Sequence, residues 1–167
     1  KYFFYNGGGD SQDTTNKISK FFQSKKHPII CIGLPKTIDN DLPITYCCPG
    51  YGSVAKYIAT STLEASLDVK SMSQTSTKVF ILEVMGRHAG WLAASAGIIK
   101  EKASDPPHII LFPEVEFNQQ SFLKKVKDII KKYGYCVIVA SEGIKSKNKF
   151  ISDSGLKDSF GHAQLGG

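Results

Sequence analysis

The chain has 167 residues, of which 41% are hydrophobic and 22% are charged, and this is enough for one ordinary globular core. No stretch approaches the roughly 18 apolar residues of a membrane span and nothing at the amino end resembles a signal peptide, so we expect a soluble cytoplasmic protein without a membrane partner. The net charge of +6 would suit nucleic acid, but arginine occurs once, at Arg87, and the lysines are scattered, so nucleic acid is not an expected partner.

Apolar runs of strand length alternate along the chain with stretches of helical periodicity. The predicted strands cover residues 1–5, 28–34, 78–85, 108–112 and 135–140; a first helix ends near residue 26, and further helices cover about 53–71, 92–100 and 119–132. The spacing predicts core-facing side chains in three of these helices: Ile18, Phe21 and Phe22; Val54, Tyr57, Ile58, Ser61, Ala65 and Leu67; and Phe122, Val126, Ile129 and Ile130.

The alternation of strands and helices predicts the fold class. Strands that are almost unbroken apolar runs favour a mostly parallel sheet covered on both faces, in a Rossmann-like three-layer α/β sandwich. Polar or charged groups follow the strands at positions 9–11, 36–41, 86–88, 114 and 142–143. Because the carboxyl ends of parallel strands meet at one edge, where ligands bind in open α/β sheets, we expect these groups to share that edge.

One of these clusters, at residues 36–41, directly follows an apolar strand. Asp39 and Asp41 are two positions apart, so in an extended loop both can point to the same side. One carboxylate could then act as a base while the other orients it or holds a metal. From residue types alone, the alternative is a solvated acidic turn.

A second cluster lies between the first strand and the first helix. Three consecutive glycines, at positions 7–9, allow a sharp turn and a close approach to a ligand, and Asp10 and Ser11 follow them. Ser11 or Asp13 can cap the helix, whose amino end would face the same place and favour an anion. A simple connector between a strand and a helix is the alternative.

Four motifs occur together in this sequence: residues 35–41 (PKTIDND), residues 85–91 (MGRHAGW), Pro113-Glu114, and residues 161–167 (GHAQLGG). In this order they resemble the phosphofructokinase family, and the resemblance covers essentially the whole chain. It implies a two-domain fold, with residues 1–60 in a donor-binding domain, 61–160 mainly in a sugar-phosphate domain, and 161–167 returning to the first. We interpret the chain as an internal segment of such an enzyme.

The resemblance also indicates a branch of the family. Lys36 and Asp10 match the members that use pyrophosphate, whereas members that use ATP have glycine at both positions. A carboxylate at position 10 would lie where the α-phosphate of a nucleotide binds, and Lys36 would add a cation for compact pyrophosphate. An ATP-dependent 6-phosphofructokinase and a non-catalytic fragment or subunit that only binds sugar phosphate remain the alternatives.

The resemblance implies roles at the donor and at the reacting hydroxyl. Asp39 would take the proton from the C1 hydroxyl of fructose 6-phosphate, Asp41 would assist it, and Thr37 would contact the transferred phosphoryl group. The donor pyrophosphate would be bound by Gly8, Gly9, Asp10, Ser11 and Lys36.

Other matching positions imply contacts with the sugar phosphate. Met85, Gly86 and Arg87 would line its pocket, and Glu114 would bind a sugar hydroxyl. His162 would contact the 6-phosphate, as would Lys78 toward a neighbouring subunit. Sites completed across subunits imply a homo-oligomer, a dimer or larger.

Two departures from the family pattern concern magnesium and phosphate. Gly9 stands where the family usually has an aspartate near Mg²⁺, so the resemblance implies either that Asp10 or Asp41 is the metal ligand or that metal coordination is weaker than usual. Leu165 replaces an arginine that commonly precedes the final two glycines, which removes one possible phosphate cation.

Overall fold

The computed structural model describes residues 1–159 and 161–165, which form two compact units, Lys1–Gly52 and a second that starts at Ser53. The strands are β1 (Tyr2–Gly7), β2 (Ile30–Pro35), β3 (Val79–Val84), β4 (Ile109–Leu111), β5 (Cys136–Ser141), β6 (Lys145–Ser146), β7 (Lys149–Phe150), β8 (Asp153–Lys157) and β9 (Ala163–Leu165). The helices are α1 (Gly9–Ser24), α2 (Tyr51–Met72), α3 (Trp91–Ser95), the 3-10 helix Ala96–Ile99, and α4 (Gln119–Tyr133).

The first unit is a β-α-β arrangement. β1 and β2 pair in parallel, with Tyr2 opposite Ile30 at one end and Gly7 opposite Pro35 at the other. α1 connects the two strands and packs against both. The predicted strand, helix and strand are therefore confirmed here.

Side-chain burial in this unit differs from the prediction. The strands were expected to be covered on both faces, but Tyr2 is 66% and Phe4 58% exposed, because within this unit the two-stranded sheet has one helix as its covering layer. Phe21 is 57% exposed as well. Thr15 is the buried residue of α1, and Phe21 lies on a different side of the helix because successive helical residues are rotated by about 100°.

The start of α1 also differs from the prediction. The helix begins at Gly9 after Gly8, and no side chain caps it. Ser11 and Asp13 therefore lie inside the helix rather than at its cap: the Ser11 carbonyl accepts a hydrogen bond from the Thr15 hydroxyl at 2.8 Å. The first turn consequently keeps backbone N–H groups directed out of its amino end.

The second unit is built on a parallel sheet with β5 in the centre, in the order β3-β5-β4. On one face, Val137 packs with Val69 of α2. On the other face, Cys136 and Ile138 pack against α4. The α4 side chains in this contact are the four that the periodicity predicted: Phe122, Val126, Ile129 and Ile130. Helices on both faces of a parallel sheet confirm the predicted three-layer α/β class.

The buried face of α2 is rotated from the predicted one. Tyr57 is 71% and Leu67 59% exposed. The buried side chains of this helix are Ala55, Ile58, Ala59, Thr62, Ser66 and Val69. Their small size allows close packing, and the hydroxyls of Thr62 and Ser66 donate to helix carbonyls four residues earlier, at 2.7 and 2.5 Å, so burial leaves no hydroxyl unpaired.

After β5 the chain forms two short antiparallel pairs, β6 with β7 and β8 with β9, which the sequence did not predict. These strands are short and polar, so they lack the apolar alternation by which strands are recognised. Among the helices of residues 1–159 and 161–165, none combines the length and apolarity needed to cross a membrane.

We predict that the stability of the fold depends on His108. Its ring stacks on Tyr133 and meets Tyr135 edge-on, and its Nδ1 accepts a hydrogen bond from the Val137 N–H at 2.9 Å. Burial, and then the nearby Lys100, lowers the pKa of His108 below its usual value of 6.5. The unfolded chain therefore binds more protons at acidic pH, and the free energy of unfolding should decrease as the pH falls below 6.5.

Urea unfolding at about pH 7.5 and about pH 5.5 would measure this effect. His108→Asn keeps an acceptor near the Nδ1 position but does not titrate, so it should weaken the pH dependence. His27→Asn, at an exposed histidine, is the matched control. A pH dependence in His108→Asn equal to that of the native protein would contradict the prediction.

Candidate active site

In the first unit, the two predicted clusters lie side by side. At residues 8–11 the chain turns from β1 into α1, with Gly8 before the helix and Gly9 to Ser11 in its first turn, and this stretch is called the turn at residues 8–11. The loop at residues 36–41 follows β2, and parallel pairing puts both at the same edge. The Lys36 N–H donates to the Gly7 carbonyl at 2.9 Å. A Cβ atom on Gly8 would lie 3.6 Å from the Lys36 carbonyl oxygen and 3.7 Å from the Thr37 Cβ. The backbones of the predicted donor turn and catalytic loop are thus in contact.

The amino end of α1 forms one wall of this edge. Its first intrahelical hydrogen bond runs from the Gln12 N–H to the Gly8 carbonyl at 3.0 Å. The preceding N–H groups, together with the helix dipole, make this end favourable for an anion. Asp10 lies in the first turn and is exposed. A Cβ atom on Gly9 would have no neighbour within 4 Å. There is therefore room at position 9 for the aspartate that the phosphofructokinase pattern usually has there.

The loop after β2 is shaped by Asn40, to which the sequence motif assigned no role. Asn40 is buried and has a positive φ of 56°, a conformation that asparagine tolerates better than most residues. Its Oδ1 accepts from the Cys48 N–H at 2.8 Å, which ties the loop to a later segment. Asp39 on one side is partly buried, with its N–H donating to the Thr37 hydroxyl at 3.2 Å, while Asp41 on the other side is exposed.

Gln12 is a second residue that the motifs did not reveal. Its Nε2 donates to the Gly7 carbonyl at 3.0 Å, and this is the same carbonyl that accepts from the Lys36 N–H. A Cβ atom on Gly33 would overlap the Gln12 Oε1, so a larger residue at position 33 of β2 would displace the Gln12 side chain. Gln12 therefore links α1, β1 and β2 beneath the two loops.

We predict that Gly33→Ala destabilises the protein by about 1 kcal/mol, because the new methyl group displaces the Gln12 carboxamide and breaks its hydrogen bond to the Gly7 carbonyl. In a Gln12→Ala background, the same substitution should have much less effect, since the overlapping group is gone. Chemical unfolding of the two single variants and the double variant measures this coupling. Gly52→Ala, at an open helical position, is the control, and additive effects at positions 12 and 33 would argue against the packing.

In the second unit, a tight turn at residues 85–87 follows β3. Gly86 has a φ of 125°, which favours glycine. Its N–H donates to Glu142 Oε1 at 3.2 Å, and its carbonyl accepts from the Ser141 hydroxyl. A Cβ atom on Gly143 would overlap the Arg87 carbonyl. The end of β5 therefore fixes this turn, with Met85 left 53% exposed at its start.

The carboxylate of Glu114 lies after β4, close to the amino end of α3. Its Oε1 accepts from the Gly90 N–H at 2.8 Å. A side chain at Gly90 would come within 2.9 Å of the other carboxylate oxygen and within 2.6 Å of Phe112. Glu114 is thus held at the same edge of the sheet as the turn at residues 85–87.

The guanidinium of Arg87 lies near the β8–β9 turn. Its nearest amino group is 3.9 Å from the Asp158 carboxylate, and His162 Nδ1 is 3.5 Å from the same oxygen. The structure thus groups Arg87 with His162, through an aspartate that sequence analysis missed. Gly166 and Gly167, which end the predicted motif, lie outside the described residues.

Lys78 is not brought together with these groups. It immediately precedes β3, and its carbonyl accepts from the Cys136 N–H at 2.8 Å. The whole strand, about 20 Å long, separates it from the turn at residues 85–87. The roles assigned to it and to the other site residues stay predictions.

The carboxylates predicted to hold magnesium are Asp10 and Asp41, which follow neighbouring parallel strands. Within residues 1–159 and 161–165, no group of three or more His, Cys, Asp or Glu side chains is arranged to hold a metal ion. Mg²⁺ commonly binds through one or two carboxylates, with substrate phosphates and water as its other ligands. The donor set at this edge fits a metal of that kind.

Comparison with known proteins identifies the family. The sequence pattern described as "Phosphofructokinase" matches residues 1–167. The chain belongs to the phosphofructokinase family. The pyrophosphate–fructose 6-phosphate 1-phosphotransferases of Halomonas elongata and Xanthomonas campestris are 58% and 57% identical to it over its full length. The chain spans 40% of the length of each of these relatives.

A solved structure in this family has the same fold. The crystal structure of pyrophosphate-dependent phosphofructokinase from Marinobacter aquaeolei matches with a TM-score of 0.80 at 66% identity. The match covers 87% of this chain and 37% of that one. The predicted family and fold class are therefore confirmed.

Proposed function

We propose that the protein containing this chain transfers a phosphoryl group from pyrophosphate to the C1 hydroxyl of fructose 6-phosphate, giving fructose 1,6-bisphosphate in a reversible step of glycolysis. The observation that carries the proposal is the contact between the turn at residues 8–11 and the loop at 36–41. It groups an anion-binding helix end, a cation and two carboxylates, which are the components of phosphoryl transfer. A glycolytic role implies a cytoplasmic location.

Asp39 is the proposed general base. It accepts the proton of the C1 hydroxyl as that oxygen forms a bond to phosphorus, while the bond from phosphorus to the bridging oxygen of pyrophosphate breaks and orthophosphate leaves. Its N–H donates to the Thr37 hydroxyl, which holds the backbone at this position, and its side chain is partly buried. Thr37 contacts the transferred group, and the exposed Asp41 assists.

Lys36 and Asp10 are the proposed determinants of the donor. The exposed Lys36 supplies positive charge to pyrophosphate, and its backbone is anchored to Gly7. Gly8, Gly9 and Ser11 complete the donor site with the amino end of α1. The Asp10 carboxylate disfavours a nucleotide by adding negative charge where its α-phosphate would bind.

Magnesium is the proposed metal, with Asp10 and Asp41 as its protein ligands. When bound, it neutralises charge on the phosphates. The open space beside Gly9 leaves room for water in place of the usual carboxylate.

Fructose 6-phosphate is the proposed acceptor in the second unit. Met85, Gly86 and Arg87 line its pocket, Glu114 binds a sugar hydroxyl, and His162 contacts the 6-phosphate. Lys78, at the opposite end of β3, contacts the 6-phosphate held by another copy of the chain, so the active protein is a homo-oligomer, a dimer or larger. Residues 1–60 are assigned to donor binding, 61–160 mainly to sugar binding, and 161–167 to the return toward the first domain.

The identity of the phosphoryl donor can be tested with the protein encoded by the longest open reading frame that contains this chain. Fructose 1,6-bisphosphate formation should occur with magnesium pyrophosphate and be much slower with ATP at equal concentration. Preference for ATP would overturn the donor assignment in favour of an ATP-dependent enzyme. Calorimetric binding of fructose 6-phosphate without turnover from either donor would indicate a protein that only binds sugar phosphate.

For the base, we predict that Asp39→Asn lowers kcat by about 10²–10⁴-fold, since general base catalysis typically contributes that much. The KM for fructose 6-phosphate and the unfolding midpoint should change little. Asp13→Asn is the control, because Asp13 is an exposed residue of α1 that pairs with Lys17 at 2.5 Å. Nearly native turnover in Asp39→Asn would rule out the base assignment.

A further inference from the structure

Asn40 lies between the two aspartates of the loop at residues 36–41 and differs from both in burial. Asn40 is 9% exposed, whereas Asp39 is partly buried and Asp41 is exposed. In an extended strand, residues 39 and 41 would share one side, but the φ of 56° at Asn40 interrupts that alternation. The conformation of this one residue therefore helps to give the two carboxylates different surroundings.

The carboxamide of Asn40 holds the backbone in this conformation. Its Oδ1 accepts from the Cys48 N–H at 2.8 Å, and its Nδ2 lies 3.5 Å from the Tyr46 carbonyl oxygen, which makes a weak hydrogen bond. These partners fix the orientation of the amide, because a backbone N–H can only donate and a carbonyl can only accept. A hydrocarbon side chain at position 40 would remove the acceptor from the Cys48 N–H.

The segment at residues 46–50 also packs against the residue on the other side of Asp39. Gly50 has a φ of 92°, and a Cβ atom there would come within 3.2 Å of the Ile38 Cγ2 atom. Asp39 therefore has a neighbour on each side that this segment holds, Ile38 by packing and Asn40 by hydrogen bonds. Contacts on both sides restrict the backbone that carries the Asp39 carboxylate.

We propose that Asn40 is a positioning residue that holds the Asp39 carboxylate in place for proton transfer. This inference rests on the proposed function, because that function makes Asp39 the general base. Asn40 is buried and does not itself contact the substrate, so it acts through the backbone that carries the base. A displacement of the base by about 1 Å slows the chemical step, whereas binding of the substrates depends on other residues.

The test uses Asn40→Gly in the protein encoded by the longest open reading frame that contains this chain. Glycine adopts a positive φ without strain but has no carboxamide, so the variant removes the contacts with residues 46–48 and still allows the backbone conformation. kcat should fall by about 10- to 100-fold, the loss expected from a small misplacement of a catalytic group. The KM values for fructose 6-phosphate and pyrophosphate should stay within about twofold of the native ones.

A double variant distinguishes positioning from general stabilisation. In an Asp39→Asn background, Asn40→Gly should change kcat by less than about twofold, because the group that Asn40 positions is already absent. A purely structural role would instead multiply the two losses.

A conservative variant tests the hydrogen bond itself. Asn40→Asp keeps an oxygen that accepts from the Cys48 N–H and tolerates a positive φ, so it should retain more turnover than Asn40→Gly. The same combination with Asp39→Asn applies to this milder variant if Asn40→Gly does not fold.

Asn118→Gly is the matched control. The Asn118 Oδ1 also accepts a backbone hydrogen bond, from the Ser121 N–H at 2.9 Å, at the amino end of α4. The same substitution there should leave kcat within about twofold of the native value, since glycine is well tolerated at an N-cap.

Four results would overturn the inference. They are a native kcat in Asn40→Gly, an equal loss of kcat in Asn118→Gly, multiplied losses in the double variant, or turnover in Asn40→Asp no higher than in Asn40→Gly.

The same measurements separate the inference from the function on which it rests. If Asp39→Asn turns over at nearly the native rate, the assignment of the base fails and the inference fails with it. If Asp39→Asn is impaired and Asn40→Gly is not, only the role of Asn40 is wrong.

Discussion

In both units, the strands that carry the candidate site are paired in parallel, β1 with β2 and β5 with β3 and β4. Parallel pairing forces every strand to end at the same edge, so loops far apart in sequence become neighbours there. In the first unit this joins the turn at residues 8–11 to the loop at 36–41. In the second it joins the turn at 85–87 to Glu114 and Glu142. The chemistry of each edge depends on this direction of pairing more than on any single side chain.

The loops at these edges are fixed by backbone groups and by side chains to which the sequence motifs assign no role. Gln12 and Lys36 share the Gly7 carbonyl, and Asn40 holds the loop after β2 to Cys48. In the second unit, the hydroxyl of Ser141 and the carboxylate of Glu142 hold the backbone of Gly86. Such supporting contacts are what allow a binding site to keep its geometry within the tolerance that catalysis requires.

The sequence was sufficient for the type and order of the elements from β1 to β5, because apolar runs and helical spacing are strong in these strands and in α4. It was insufficient for the buried face of α2, where Thr62 and Ser66 are buried by bonding to their own helix and so give no hydrophobic signal. The site motifs were recognisable, but Gln12 and Asp158 were not, since a lone polar residue in a polar stretch has no distinguishing pattern. Gln12 contacts Gly7, which is 5 positions away in the sequence, and Asp158 contacts Arg87, which is 71 positions away. Both contacts form only when the chain folds.

The contact of Gly143 with the Arg87 carbonyl has a consequence for the thermodynamics of binding. The turn that carries Arg87 is packed without spare room against the end of β5, whose residues are buried throughout. Its conformational entropy is therefore lost when the protein folds and is not lost again when a ligand binds. A preorganised turn of this kind favours a small entropic penalty on association, so a modest number of polar contacts can give useful affinity for a small, strongly hydrated ligand.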